Sequence, residues 1–291
     1  MSLAFASPIL VCTLGAQPQV VTLCLDLLKR AGRWTSELVV VHTSPDVEPV
    51  RSARAQLDPV LAAWPGLNYR YVVVTGDSGP VADLSTDAEA AAYLRTLYRT
   101  VLTLKRRGHR IDLNLSGGRK PMSIYATVVA QLLFDRDDKL WYLLSGEAVR
   151  QSGQMRVRRP DDASLLEIPV LRWSSVSPAA TPLGQFDDPW DAIRYQQEHR
   201  LRADLAAKAA FVQRRLTPAE RELATLAATS GLDNAALAER LGKSRKTVNN
   251  QLTRIYEKLH EYLGFRDDVP TDRAVLAAEL GPYFALEQRP E

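Results

Sequence analysis

The sequence predicts an α/β protein: a doubly wound, mostly parallel sheet followed by an all-α module. Three observations predict it. Short apolar runs alternate with helical stretches over roughly residues 8–145. Glycine-containing turns follow the first and fourth of these runs. From residue 216 the strand-like runs stop, and capped amphipathic helices succeed one another.

Pro8–Thr13 is the first apolar run, bounded by a loop with Gly15 and Pro18. Gln19–Arg30 then carries Val20, Leu23, Leu27 and Leu28 at helical spacing. Glu37–His42 (ELVVVH) is the second run, and helical material with Ala53, Leu57 and Leu61 follows. Tyr69–Thr75 is the third run, before a longer helix over about Thr86–Arg107. Ile111–Leu115 (IDLNL) is the fourth strand, Pro121–Phe134 a helix and Lys139–Leu144 the fifth strand. Repeated strand–helix–strand units imply parallel strands with right-handed crossovers and helices on both faces, a Rossmann-like sheet. Ligands bind such sheets outside the carboxyl ends of the strands, at the topological switch point. Residues 146–176 suggest a hairpin with irregular extensions. VSPAATPLGQFDDP (176–189) is a Pro-containing connector, and Trp190–Arg215 reads as helical.

The composition fits this reading. Of 291 residues, 46% are hydrophobic and 24% charged, which excludes a disordered or collagen-like chain and suits two domains. The expected division is 1–175, a connector and linker helix over 176–215, and 216–291. Cys12 and Cys24 can form neither a disulfide framework nor a thiolate metal site; they read as small buried hydrophobes in a reducing, cytoplasmic setting. No run approaches the ~18 apolar residues of a membrane span. The apolar stretch MSLAFASPILVCTLGA has no Lys or Arg before it, so it is expected to be a core strand rather than a signal peptide. The four histidines (His42, His109, His199, His260) show no metal spacing. No metal, cofactor or catalytic residue is expected.

Two loops carry the candidate ligand site. Ser116-Gly117-Gly118-Arg119-Lys120 leaves the fourth strand and enters a helix, with Pro121 in its first turn. Two glycines permit a sharp turn and close approach to a ligand. The helix N-terminus offers free N–H groups and partial positive charge, and Arg119 and Lys120 add full charges. Together these suit a phosphate or another anion. The first loop runs from Thr13 through Gly15 and Gln17 to Gln19. It offers backbone N–H groups, a hydroxyl and two amides, which suit a nucleobase or ribose. Taken alone, it also fits a plain strand–helix turn. Neither loop matches the three-glycine dinucleotide fingerprint or the GxxxxGK[ST] phosphate loop.

GAQPQVVT and NLSGGRKPMS resemble the CRISPR-associated Rossmann-fold (CARF) sensor domains over about residues 8–145. The resemblance implies a homodimer that binds a cyclic oligoadenylate, cA4 or cA6, the second messenger of type III CRISPR antiviral defence. The ring would lie across the dimer axis, and each subunit would contribute both loops.

In the C-terminal module, Thr217 and Glu220 form a capping box with Pro218 at the first helical position. Leu223, Leu226 and Ala227 give that helix its apolar face, and Gly231 stops it. Asn234 is expected to cap a short helix, Ala235–Leu241, ended by Gly242. Ser244 caps a long helix with Val248, Leu252, Ile255, Tyr256 and Leu259 inward. Two helices joined by a short glycine turn read as a helix-turn-helix. In that motif the N-terminal residues of the second helix face base edges. Candidate DNA contacts are Lys243, Ser244, Arg245, Lys246, Thr247, Asn249, Asn250, Thr253 and Arg254. Between Lys243 and Lys258, five Lys or Arg stand against Glu257, a local +4 that exceeds the +3 of the whole chain. Thr271 is expected to cap a last amphipathic helix, Asp272–Phe284.

This stretch resembles the LuxR-type DNA-binding domain through LTPAERE, GLDNAALAERL and SRKTVNNQLTRIYEKL. Asn249 stands where that family commonly has Lys, and Gln251 where it has His, so no operator sequence is carried over. Joined, the modules suggest a cyclic-oligoadenylate-responsive transcriptional regulator that binds double-stranded DNA as a homodimer. The alternatives are a ring nuclease, or a ligand-activated ribonuclease suggested by Arg194 and His199 (RYQQEH) or by Arg254 and His260. A metabolite-responsive regulator outside CRISPR is a third.

Overall fold

A computed structural model describes residues 8–172 and 182–287. The chain divides into two compact units, one ending at Gln196 and the other beginning at Gln197.

The first unit follows the order β1 (Ile9–Thr13), α1 (Gln19–Arg30), β2 (Glu37–His42), α2 (Val50–Ala62) and β3 (Asn68–Val73). A small hairpin, β4 (Thr75–Gly76) and β5 (Gly79–Pro80), precedes α3 (Asp87–Arg106). Then come β6 (Ile111–Asn114), α4 (Lys120–Leu133), β7 (Lys139–Ser145), α5 (Glu147–Ser152) and β8 (Ala163–Ile168). The six-stranded sheet has the order β3-β2-β1-β6-β7-β8. All its neighbours pair in parallel except β7 with β8. The order reverses between β1 and β6, so these two central strands flank the switch point.

Strand alternation sorts the core into two layers. Ile9, Val11, Val39, Val41, Ile111 and Leu113 pack with α3 and α4. Leu10, Cys12, Leu38 and Val40 pack with α1 and α2. Both cysteines are buried and unpaired.

The sequence reading differs in a few places. The expected hairpin region contains a short helix, α5, closed by Gly153 in the left-handed conformation, before β8 returns antiparallel. Six residues were too few to show a helical period. The expected N-terminal core strand begins at Ile9; residues 1–7 lie outside those described, as does the connector as far as residue 181. Pro182–Gln185 forms a single 3₁₀ turn.

α6 (Pro189–Arg215) crosses the division between the units. Its Ala192 is buried in the first core, and its Phe211 and Val212 in the second. The second unit adds α7 (Pro218–Thr229), α8 (Asn234–Arg240), α9 (Arg245–Leu263) and α10 (Arg273–Glu287). Leu223, Leu237, Val248, Leu252, Ile255, Leu276 and Leu280 form the centre of its core. α8 and α9 are joined by residues 241–244, with Gly242 at φ +60°. Tyr256, expected inward, is half-buried.

Two caps sit one residue away from expectation. Asp233, not Asn234, caps α8 by accepting from the Ala236 N–H at 2.8 Å. Asp272, not Thr271, accepts from the Val275 N–H at 3.1 Å at the start of α10. In both places two cap-forming residues are adjacent in sequence. Tertiary partners draw one away: Asn234 meets Asn249 and Arg273, and Thr271 meets the His260 ring at 2.9 Å.

The capping box of α7 forms as read, with Glu220 accepting from the Thr217 N–H at 2.8 Å. The same carboxylate receives the Lys258 ammonium at 2.7 Å, although Glu220 is only 5% exposed. Burial pushes this carboxyl up. Hydrogen bonds from Lys258 and Thr217 outweigh burial and hold it below the usual carboxylate range. A depressed carboxylate stabilises the fold above its unfolded pKa, and that stability is lost as pH falls through the folded value. Glu220→Gln should therefore cost about 1–2 kcal/mol at pH 7. The gap from wild type should narrow as pH falls below the unfolded carboxyl value of about 4.3. Urea denaturation followed by far-UV circular dichroism at pH 7 and pH 3.5 tests this; an unchanged gap would contradict it.

Candidate functional site

The loops after β1 and β6 meet at the carboxyl ends of the two central strands. The register Cys12↔Asn114 brings the strand ends side by side. The Thr13 hydroxyl then donates to the Gly117 carbonyl at 2.6 Å. A Cβ on Gly117 would stand 1.8 Å from the Thr13 carbonyl oxygen, and one on Gly15 2.5 Å from Gly118 Cα. Gly118 adopts φ +88°. Gly15 and Gly117 therefore let one loop approach the other.

Thr13 is fully buried, so its hydroxyl holds the loops together rather than facing a ligand. Gly15 and Gly117 are buried with it, whereas Gln17 and Gly118 are exposed. Gln19 is 5% exposed and begins α1; its amide donates to Gln17 and to the Arg150 carbonyl, each at 3.1 Å. The first loop is thus tied to α5 as well as to the second loop. Ser116 is half-buried, and its Oγ accepts from the Leu143 N–H at 2.5 Å. It bridges β6 to β7.

Arg119 and Lys120 remain exposed at the start of α4. They do not contribute equally. Arg119 forms a two-point ion pair with Asp83, with Nε to Oδ1 at 2.9 Å. Lys120 makes no ion pair among the described residues. The expected pair of free cations is therefore one unpaired ammonium and one guanidinium shared with a carboxylate. The carboxylate also accepts from the Leu84 N–H at 2.8 Å, so Asp83 is a fixed counter-charge beside the α4 N-terminus.

Three supporting residues escaped the sequence reading. Asn114 is fully buried and accepts from the Ser116 N–H at 3.1 Å while donating to the Val20 carbonyl at 3.2 Å. It shapes the glycine loop and anchors α1. Its signal was visible as a polar residue inside the run IDLNL. Asp83 and Arg150 come from distant segments and left no local signal. A concavity of about 410 Å³ opens at the carboxyl end of β7, next to β6 in the sheet, lined by Leu144, Gly146, Arg150, Asp161 and Asp162 among others.

In the second unit, Ser244, Arg245, Lys246, Thr247, Asn249, Asn250, Thr253 and Arg254 are exposed along the first half of α9. Lys243 is half-buried and donates to Gln251 at 3.3 Å. Ser244 caps the helix by accepting from the Thr247 N–H at 3.1 Å. The Lys258 charge, counted in the local excess, is turned towards Glu220. The free positive charge therefore concentrates at the amino-terminal end of α9.

Among the described residues no group of three or more His, Cys, Asp or Glu is placed to hold a metal, and no helix is long and apolar enough to cross a membrane.

The first unit is thus an α/β domain with two glycine loops clamped at its switch point. Residues 17–198 match the family described as CRISPR-associated protein NE0113, and the chain belongs to that family. Among solved structures, Enterococcus italicus Csm6 bound to cyclic hexa-2'-fluoro-hexa-dAMP aligns over 98% of this chain and 77% of its own, at 12% identity and a TM-score of 0.32. At that score the likeness fixes neither fold nor activity. No curated protein matches the sequence.

The clamp makes a definite prediction. Gly117→Ala should destabilise the first unit by at least about 3 kcal/mol, because its methyl meets a backbone oxygen rather than a movable side chain. Thr13→Val should cost about 1–3 kcal/mol by leaving the Gly117 carbonyl without its donor. Lys120→Ala should change stability by less than about 0.5 kcal/mol. Denaturation followed by fluorescence of Trp34, Trp64 and Trp141 reports on this unit. A silent Gly117→Ala would refute the clamp.

Proposed function

We propose that the chain is a cyclic-oligoadenylate-responsive, DNA-binding transcriptional regulator associated with type III CRISPR defence, acting as a homodimer. The observation that carries this reading is the pair of loops 13–19 and 116–120 at the switch point, with Lys120 unpaired at a helix N-terminus in a CRISPR-associated chain. The ring would contact Gln17, Gly118, Arg119 and Lys120 directly. Phosphates suit the α4 N-terminus and the two cations. Thr13, Gly15, Gln19, Ser116 and Gly117 would hold the loop shapes. Residues 1–175 form the ligand-binding module in this reading, 176–215 the connector and 216–291 a LuxR-type helix-turn-helix module.

The exposed, basic first half of α9 supports the DNA assignment. Its inward face fills the core, and its outward face carries donors and acceptors that suit base edges and phosphates. A two-fold dimer would present two such helices to half-sites about 34–36 Å apart. Ligand and DNA affinities must then change each other by the same factor.

Calorimetry with cA4 and cA6 tests the ligand. Lys120→Ala should weaken binding roughly tenfold or more, as expected for a lost charge-assisted contact. Asp83→Asn, which releases Arg119, should strengthen binding by roughly two- to fivefold. Equal affinities in all three proteins would place the ring elsewhere. Gel shifts with DNA from its own locus test the other module. Lys246→Ala should weaken binding to all sequences and flatten the salt dependence by about one unit of slope. A bound ring should change operator affinity by roughly 5–150-fold. RNA degradation that depends on the ring and is lost in His199→Ala would favour the ribonuclease instead.

A further inference from the structure

Asn249 lies on the exposed face of α9, yet its side chain is held. The Asn234 amide donates from Nδ2 to Asn249 Oδ1 at 2.7 Å. Asn234 Oδ1 in turn accepts from the Arg273 guanidinium at 2.6 Å, and the same guanidinium donates to the Leu232 carbonyl. The three side chains come from α8, α9 and α10 of one unit.

The chemistry of Arg273 fixes the polarity of this chain. A guanidinium has five N–H donors and no acceptor, so only the oxygen of Asn234 can face it. The Asn234 amino group must then point at Asn249. An amino group needs an acceptor, so Asn249 presents its oxygen inward. Its own Nδ2 is the end of the amide that this relay leaves unused. An unrestrained Asn can present both atoms to one adenine, donating to N7 and accepting from N6. In this one the oxygen already accepts from α8, so a bidentate adenine contact competes with the Asn234 bond.

We propose that Asn234 and Arg273 are positioning residues that set Asn249 as a one-point hydrogen-bond donor to a base acceptor in the major groove. The contacted edge is then purine N7, guanine O6 or thymine O4, not the adenine N6–N7 pair or cytosine N4. This rests on the DNA-binding reading given above. It adds that the preferred base at one position is decided by a residue on α10 that touches no DNA.

The relay has an isosteric test. Asn234→Asp replaces the donor by an acceptor of the same shape. Its carboxylate still accepts from Arg273, but it now requires a donor from Asn249. The Asn249 amide must flip, and its oxygen turns outward. Arg273→Lys keeps a donor-only partner and should preserve the original polarity.

The full-length protein and both variants would be used to select sites from a randomised duplex library, with thermal melts as a control. Asn234→Asp should switch one position per half-site from an acceptor-bearing base to a donor-bearing one, cytosine N4 or adenine N6. The discrimination should be about fivefold, the worth of one neutral hydrogen bond. Arg273→Lys should select the wild-type sequence. Replacing the contacted purine by its 7-deaza analogue should weaken wild type and Arg273→Lys but not Asn234→Asp when N7 is the acceptor. A merely structural role would change melting temperature without inverting the base preference. If wild type selects a defined site and Asn234→Asp selects the same one, the relay is refuted while DNA binding stands. If wild type retains no duplex at low salt, with or without cA4 or cA6, the DNA reading falls and the relay with it.

Discussion

The hydrogen bond from Thr13 to the Gly117 carbonyl, with the glycine contacts around it, is the constraint on which the candidate ligand site depends. A parallel sheet alone places two loops near each other at its switch point. It does not fix their separation. Here the backbones touch, because no side chain at residues 15 or 117 keeps them apart. The consequence reaches past the loops. With Gly117 held, Ser116 faces β7, Asn114 holds the turn from below, and α4 starts at Lys120 with its N-terminus exposed. That placement leaves the partial positive charge of the helix end facing outward.

Electrostatics around the loops are graded rather than uniformly positive. Arg119 shares its charge with Asp83, while Lys120 has no such partner among the described residues. The pair is exposed but two-pointed, so Asp83 fixes the direction of the guanidinium. The fold therefore keeps this guanidinium oriented without burying it. Buried charges elsewhere are treated differently. Asp112 is fully enclosed and accepts from Arg33 at 2.8 Å and from the Trp141 indole at 2.8 Å. Lys105 lies between Asp135 and Asp138, each at 2.7 Å. These closed networks fix the sheet; the loop cations stay open to solvent.

The second unit rests on an analogous contrast. Glu220 is at once the N3 residue of a capping box and the buried partner of Lys258, so it joins α7 to α9. Elsewhere on α9, Asn249, Asn250, Thr253 and Arg254 remain exposed, and one of them is tethered. Asn249 is connected through Asn234 to Arg273, and donor-only chemistry at one end orders the whole relay.

Much of this was legible in the sequence for local reasons. Strand β2 was bounded as read, and α7 began at its capping box. A period of two or 3.6 and a Thr-x-x-Glu pattern depend only on neighbouring residues. The glycine loops and the exposed face of α9 were found in the same way. What the sequence left undecided all involves residues far apart in the chain. Asp83 takes Arg119 across 36 positions, and Thr13 takes Gly117 across 104. The caps of α8 and α10 moved by one residue because Arg273, Asn249 and His260 claimed the neighbours. The sequence by itself determined which segments are strands and helices and which loops carry glycine and charge. Tertiary structure alone decided which cation is unpaired, which hydroxyl is buried and which end of an amide faces outward, because each depends on a partner that only folding brings within hydrogen-bond distance.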